Sequence, residues 1–578
     1  GWWPRPDFSA RTWAAVAIGA LTASGPAYYA FFGCYLFLVA GGYGWSRTGS
    51  ARPLLSGAAL AALTVGVGVV NALPAIAYEQ RYGANPEAKW RAPEEAETYG
   101  LKVVQMILPV DDHRAPALAR LKAAYNSTYR PLQNENETAT LGLVGAAGFL
   151  ALLGIALFRV RTRAPLPGAL AALTLAAVLL GTIGGLGSAF NFLVYPQIRA
   201  YNRISVYIAF FSLLGLLWLL EAALHYRPHP RLGKGRVGAV VARLGAWVLF
   251  PGLMLLGLWD QVTWRPSSPA TAGQEAQARE RFEHDRAFVR RIEAALPRGA
   301  MVFQLPYAHY PEHTGQHRMG HYAHLRLYLH SASLRWSFGA MRGREVDQWQ
   351  QRVASQPPEE MLKALVLAGF GGLTIDRRGY ADSASGLEAE VRRLLGAEPV
   401  VSPDGERAFY PLGEFARRLR AEYSPEEWER QREAACEPLC LLWQEGFFRL
   451  DDPAKADPYR VGRKHSRLTV VNPSGRPRRA RLRMVLGARD ADRAELRISG
   501  ALFGERVALT RAPELLEKEL VVPPGRHAVF FDCEPSADYR PWDSRRGVFF
   551  VGSCTLEEPG GRETALPRAE QADSPGDR

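Results

Sequence analysis

Long apolar runs and short alternating segments divide this chain near residue 263. Before that point, Ala/Leu/Val/Gly stretches at 54–76, 138–158, 166–186, 204–224 and about 237–259 predict membrane-spanning helices. Each approaches or exceeds the roughly 20 apolar residues that a helix needs to cross a bilayer. Two shorter apolar pieces, 13–24 and 26–39, meet at Gly25-Pro26 and predict a broken helix pair or re-entrant hairpin. After residue 263 the periodicity shortens. A charged amphipathic helix over 272–296 precedes a buried strand at 301–305, helices at 358–369 and 385–395, and strands at 372–375, 399–401 and 408–410. That alternation argues for an α/β domain. Segments 468–471, 481–486, 495–498, 520–522, 527–531 and 547–551 then recur between turns such as Asn472-Pro473-Ser474-Gly475, the pattern of a β-sandwich. The expected domains are 1–262 (helical, transmembrane, with an external loop at 77–137), 263–425 (α/β), 440–557 (β-sandwich) and a disordered polar tail at 558–578.

Charge orients the helical half. Arg47 and Arg52, then Arg159, Arg161 and Arg163, then Arg227, Arg231, Lys234 and Arg236 lie in alternate short connections, and the positive-inside rule places these in the cytoplasm. The connections 77–137 and 187–203, and everything after Gln261, then lie outside. The mean hydropathy of −0.13 averages two unlike halves. A net charge of +13 comes without Lys-rich tails, zinc-finger spacings or RNA-binding signatures, so nucleic acid is not an expected partner. No Gly-rich phosphate loop follows a predicted strand, which leaves nucleotide chemistry without support. The chain opens on Gly1 with no basic leader, and an upstream portion is expected to be missing.

One stretch carries the sharpest chemistry. Pro196 is suited to open a helix, and Arg199 and Arg203, four residues apart, would then share a face of its first turns. Cations there oppose the helix dipole and need an anion. A lipid phosphate fits, with Arg199, Asn202 and Arg203 as its ligands and Tyr201 as a candidate substrate contact beside them. The alternatives are headgroup snorkelling or pairing with acidic loop residues.

The 77–137 loop supplies such acids: Glu79, Glu94, Glu95, Asp111, Asp112, Glu135 and Glu137. Glu79, Asp111, Asp112, Glu135 and Glu137 are candidates for a general base on an acceptor hydroxyl. The same groups could hold a divalent metal, be solvated charges or pair with the two arginines. His113, Arg114, Asn134 and Asn136 are candidate substrate contacts in the same loop, and Arg335 and Trp336 in the α/β domain could stack on a sugar or grip a phosphate, or equally form the seam by which this domain docks on the membrane half. His309, His313, His317, His321, His324 and His330 suggest zinc by spacing, but Pro311 and Gly315 interrupt the helix that would align them, so a polar loop is expected and no metal site is assigned. Cys436, Cys440, Cys533 and Cys554 fall in the external part, where two disulfides, Cys436 with Cys440 and Cys533 with Cys554, are the expected pairing among three.

Together, the break at Ala23-Ser24-Gly25-Pro26, the segment Asn134-Glu135-Asn136-Glu137 leading into one apolar run and the segment from Pro196 to Arg203 leading into another resemble the later spans of bacterial membrane proteins of the GT-C glycosyltransferase superfamily. The resemblance covers about residues 10–262. It implies a GT-C-like transmembrane bundle carrying extracytoplasmic domains in the bacterial cytoplasmic membrane. It further implies transfer of a sugar from a polyprenyl-phosphate carrier to an envelope glycan or other acceptor on the outer face. In that superfamily the catalytic acid usually lies in the first external loop, which this start would omit. A non-catalytic protein that translocates or presents a glycan or lipid is the alternative.

Overall fold

The computed structural model describes residues 9–85, 87, 94–128, 135–158, 160, 164–225, 236–262, 269–311, 315–450, 459–489, 492–534 and 547–558. The chain divides into two compact units, Gly1–Tyr78 with Arg91–Ser268, and Glu79–Trp90 with Pro269–Arg578. The expected 77–137 loop is therefore split, since 79–90 joins the second unit while 94–128 stays in the first.

The first unit is helical: α1 (Ala10–Ala23), α2 (Ala27–Thr48), α3 (Arg52–Tyr82), α4 (Glu95–Thr98), α5 (Val103–Ile107), α6 (Pro116–Thr128), α7 (Gly142–Leu157), α8 (Pro165–Gly181), α9 (Leu186–Leu193), α10 (Ser205–His225) and α11 (Arg236–Gln261). The helix break falls where Gly25-Pro26 predicts it, because Pro26 has no N–H to continue α1 and instead precedes the first turn of α2. Packing centres on α7, α8 and α10, with α2 against α8. Phe32, Phe149, Leu152, Ala177, Ile204 and Ile208 are fully buried there. Small residues set the closest crossing: a Cβ on Gly148 of α7 would lie 2.1 Å from the Ser212 carbonyl oxygen of α10.

Among the described residues, two helices, Arg52–Tyr82 and Tyr201–Ala222, are long and apolar enough to cross a membrane. The first is turned inside out relative to a helix of a water-soluble core. Gly57, Ala61 and Thr64 are its buried residues, whereas Val65, Val69, Val70, Leu73 and Ile76 face outward. In water the large aliphatic groups would be the ones buried; in lipid, small residues mediate helix contact and large ones face the solvent. The apolar helices Gly142–Leu157, Pro165–Gly181 and Val248–Gln261 are shorter.

The second unit holds α12 (Pro269–Ala295) and a five-stranded sheet of order β2-β1-β3-β5-β4, built from β1 (Met301–Leu305), β2 (Arg335–Trp336), β3 (Phe370–Asp376), β4 (Val400–Val401) and β5 (Arg407–Pro411). β2, β1 and β3 run parallel, and β5 is antiparallel to β3. The connections carry α13 (Ala323–His330), α14 (Glu345–Ala354), α15 (Pro358–Leu367) and α16 (Ser385–Leu395), followed after β5 by α17 (Gly413–Ala421) and α18 (Pro425–Cys436).

Beyond α18 come β6 (Cys440–Trp443), β7 (Phe447–Leu450), β8 (Tyr459–Gly462), β9 (His465–Asn472), β10 (Arg478–Ala488), β11 (Arg493–Gly500), β12 (Glu505–Thr510), β13 (Glu514–Val522), β14 (Gly525–Cys533) and β15 (Phe549–Glu557). They form two antiparallel sheets, β13-β10-β15-β8-β7 and β12-β11-β14-β9-β6, that share one core containing Leu468, Leu482, Leu496, Phe531 and Phe549. The 558–578 tail lies outside the described residues except for Glu558.

Residues 82–85 and Glu87 are clasped inside this second unit. Arg344 donates to the carbonyls of Tyr82 (3.2 Å) and Gly83 (3.0 Å), Asn85 donates to the Arg342 carbonyl (2.8 Å), and Glu87 pairs with Arg460 and, at 3.7 Å, with Arg342. Guanidinium donors thus take the carbonyls that a helix end leaves without partners.

The expected disulfides are absent, and all five cysteines are free. Cys533 and Cys554 sit on β14 and β15, which belong to different sheets, and Cys436 donates instead to the Leu367 carbonyl. Burial pushes the thiols of Cys440 and Cys533 up to about 11.

A buried ion network ties α12 to the five-stranded sheet. Arg407 of β5 donates to Asp285 of α12 (2.6 Å) and to Asp376 of β3 (3.2 Å), and Arg378 reaches both oxygens of Asp376. Burial alone would raise the Asp376 pKa, but Arg378 and Arg407 hold it below the usual carboxylate value. Its folded pKa being depressed, its contribution is present above the unfolded value near 4 and is lost as pH falls through the folded one. Thermal unfolding of the full chain should therefore give a midpoint that drops as pH is lowered below about 4. Asp376→Asn, which leaves Arg407 short of a partner, should cost roughly 3 kcal/mol at neutral pH. A midpoint unchanged by both the acid and the substitution would contradict this assignment.

Candidate functional site

The segment around Arg199 and Arg203 folds differently from its sequence expectation. Pro196 lies in a turn, and no helix begins there; a short 3-10 turn spans Tyr201–Ile204 and α10 starts only at Ser205. Competing hydrogen bonds explain the difference. The Asn191 side chain of α9 takes the Ile198 carbonyl (2.7 Å), Tyr201 N–H takes the Arg199 carbonyl (2.9 Å), and the buried Tyr201 hydroxyl donates to Asn191 Oδ1 (2.8 Å). Carbonyls needed for a first helical turn are thereby spent on a loop.

Arg199 and Arg203 consequently reach two separate carboxylates. Arg199 Nη1 donates to Glu95 of α4 at 3.0 Å, and its guanidinium lies over the Tyr99 ring, 4.8 Å from the centroid. Burial alone would lower the Arg199 pKa, yet the hydrogen bond and charge of Glu95 leave it raised. Arg203 makes a two-pronged contact with Glu135, Nε and Nη2 each at 3.0 Å, and lies over the Tyr28 ring at 5.0 Å. Both pairs keep access to solvent, Arg199–Glu95 at 21% and 20% side-chain exposure and Arg203–Glu135 at 40% and 44%. Each guanidinium is held by one carboxylate edge and one ring face, an arrangement that fixes its plane while leaving other N–H donors available.

Neighbouring residues brace this arrangement. Asn202 is buried; its N–H donates to the Tyr99 carbonyl (3.2 Å), and its Oδ1 has no hydrogen-bond partner. Asn136 is also buried, accepting from Lys102 N–H (3.1 Å) and donating to the Gly100 carbonyl (2.7 Å). Glu97 accepts from Gly184 N–H at 2.8 Å.

The other expected contacts are dispersed. His113 is buried, with Nδ1 accepting from Ala115 N–H (2.9 Å) and Nε2 on Asp260 (3.0 Å), while Asp260 also accepts from Leu143 N–H (2.8 Å) at the start of α7. Both ring nitrogens are spent on the fold. Asp111 and Asp112 are exposed, and Asp111 accepts from Asn126 (3.0 Å). Arg114 is half-buried. Glu79 is exposed and belongs to the second unit, as do Arg335 and Trp336 of β2, of which Trp336 packs against the cluster around Phe288 and Val302. Asn134, the Glu137 side chain and His313 lie outside the described residues. Among the described residues, no group of three or more His, Cys, Asp or Glu side chains is placed to hold a metal ion. His324 instead contacts the Pro306 carbonyl at 2.8 Å, and His309 contacts the Tyr307 hydroxyl at 2.8 Å.

Sequence reasoning missed Tyr28 and Tyr99 as ring platforms and Asp260 as the partner of His113. No local pattern announces them, because each contact joins positions far apart in the chain.

No protein-family model matches the chain, and no curated protein sequence matches it. Among solved structures it is similar to TmCBM61 in complex with β-1,4-galactotriose, at 12% identity over 21% of this chain and 89% of that one, with a TM-score of 0.15. It is also similar to two structures of the arabinofuranosyltransferase AftD from Mycobacteria. One has 13% identity over 87% of this chain and 45% of that one, TM-score 0.24. The other has 12% identity over 96% and 49%, TM-score 0.26. The chain spans just under half the length of that enzyme.

The unequal exposure of the two ion pairs gives a measurable difference. Double-mutant cycles on the full chain, with Ala at each position, should give Arg203–Glu135 a coupling of about 1 kcal/mol or less, as for solvent-exposed pairs. The more buried Arg199–Glu95 should give the larger value. A reversed order would contradict the geometry.

Proposed function

We propose that this chain is part of a membrane-embedded, GT-C-type glycosyltransferase that transfers a sugar from a polyprenyl-phosphate carrier to an envelope glycan on the outer face of a bacterial cytoplasmic membrane. The observation that carries the reading is the pair of oriented guanidinium groups at the start of the apolar helix Tyr201–Ala222. A lipid phosphate whose tail lies beside such a helix has its headgroup at that level, and Arg is suited to two-pronged phosphate contacts. The outward aliphatic face of α3 supports a lipid environment, and the alternation of Arg-rich connections supports placing this end outside.

In this reading the donor sugar departs from its phosphate, negative charge develops on the phosphate oxygens, and Arg199 and Arg203 stabilise that charge where it appears. Glu95 and Glu135, with the rings of Tyr99 and Tyr28, hold the two forks in plane before the carrier arrives. The acceptor hydroxyl loses its proton to an external carboxylate. Asp111 and Asp112 are exposed candidates for that base, whereas the oxygens of Glu135 are engaged by Arg203.

Turnover of a polyprenyl-phosphate-linked sugar by the reconstituted chain tests the assignment. Arg203→Ala should lower kcat/KM by roughly 10²-fold, the scale seen when one preorganised charge-stabilising donor is removed. Arg203→Lys should restore only part of it, since a point charge lacks the planar fork. Unchanged turnover in a folded Arg203→Ala protein would remove the proposed role.

A further inference from the structure

The outward face of the sheet β12-β11-β14-β9-β6 is two surfaces in one. At the β6 end, Cys440, Leu442 and Val471 form a buried cluster, and α14 packs on β6. Toward β12 the same face is open and strongly charged. Register places Arg506 opposite Arg497, Arg497 opposite Asp532 and Asp532 opposite His465, in one row across four strands. The next row sets Ser499 opposite Phe530 and Phe530 opposite Arg467.

Two features of this surface bear on a ligand. Arg497 and Arg506 face each other directly across β11 and β12, a like-charge pair that destabilises a sheet. Glu495 reaches Arg506 only at 3.9 Å. Phe530 is 45% exposed in the middle of these charges, with the Arg467 guanidinium 5.9 Å from its ring centroid. Beside the arginine pair, a shallow hollow of about 410 Å³ is lined by Arg493, Ala494, Glu495, Arg506 and Ala508. Ala508 leaves its floor low between longer side chains. On this open surface Arg467, Arg493, Arg497 and Arg506 stand against Glu445, Glu495 and Asp532, with Glu445 taken by Arg467 at 3.6 Å and Asp532 by His465 at 2.7 Å; the positive excess therefore lies at the Arg497–Arg506 end, where the complementary group is an anion.

We infer that this face binds an acidic glycan, a saccharide chain bearing carboxylate or phosphodiester groups, with an anionic group between Arg497 and Arg506 and a sugar ring on Phe530. A ring platform flanked by planar hydrogen-bonding groups suits a pyranose, and the adjacent arginine donors on β11 and β12 suit one anionic substituent of the chain. The choice of a glycan over another polyanion rests on the envelope reading above; the anion site itself rests on the register and the charges.

Binding of the full chain in detergent to oligogalacturonate, a neutral galactan oligomer and single-stranded DNA of matched charge tests the inference without any sugar-transfer readout. Its failure is therefore distinguishable from that of the transferase reading. Oligogalacturonate should bind in a salt-sensitive manner and more tightly than the other two ligands. Arg497→Ala with Arg506→Ala should weaken it about tenfold or more, as expected for loss of two charge-assisted contacts. Phe530→Ala should weaken it as well, and Arg481→Ala on the opposite sheet should not. The double arginine variant should also unfold at the same or a higher temperature, because it relieves repulsion. Absence of oligogalacturonate binding at low salt, equal binding of the neutral oligomer or the DNA, or full affinity in the double variant would overturn the proposal.

Discussion

Two guanidinium–carboxylate pairs join segments 104 and 68 residues apart in the chain and orient the two arginines at the start of α10. An arginine beside an apolar helix needs a polar or anionic partner, or access to the interface. Glu95 and Glu135 meet that requirement from α4 and from the turn that precedes α7. Their placement in turn relies on buried polar braces: Asn136 on the 100–102 backbone, Asn202 on Tyr99, and Tyr201 on Asn191. The polar shell thus forms one connected scaffold outside the apolar core of α2, α7, α8 and α10.

The helical unit distributes its large and small residues as helices in contact with lipid do. Where α7 and α10 cross, Gly148 brings the backbones together, and on α3 the large aliphatic side chains point away from the protein. Burying small residues and exposing large ones would be unfavourable in water. It is an economical arrangement where lipid supplies the outer contacts and close backbone approach supplies the inner ones.

Much of the architecture was legible in the sequence because it depends on periodicity. The apolar runs that became α3, α7, α8, α10 and α11, the break at Gly25-Pro26, and the alternating segments that became β9, β10, β11 and β14 all follow from local pattern. The misreadings have a common cause. Pro196 suggested a helix start, but Asn191 and Tyr201, which compete for its carbonyls, act through side chains that propensity does not register. Cysteine spacing suggested bridges, yet Cys533 and Cys554 both stay free thiols at the core shared by the two sheets, and spacing alone does not set sulfur–sulfur geometry. The acidic partners of the arginines were legible only as a class of loop carboxylates, and their identity as Glu95 and Glu135 needed three dimensions.

In the proposed function Arg199 and Arg203, each held by its own carboxylate, both contact the phosphate of a lipid carrier. Phosphorus NMR titration of a short polyprenyl monophosphate into the full chain in nanodiscs tests it most directly, by comparing the unaltered protein with a folded variant carrying Arg199→Ala and Arg203→Ala. The account expects a saturable shift of the phosphate resonance that the double variant loses. An equally strong, saturable shift in the double variant, or none in the unaltered protein, would contradict it.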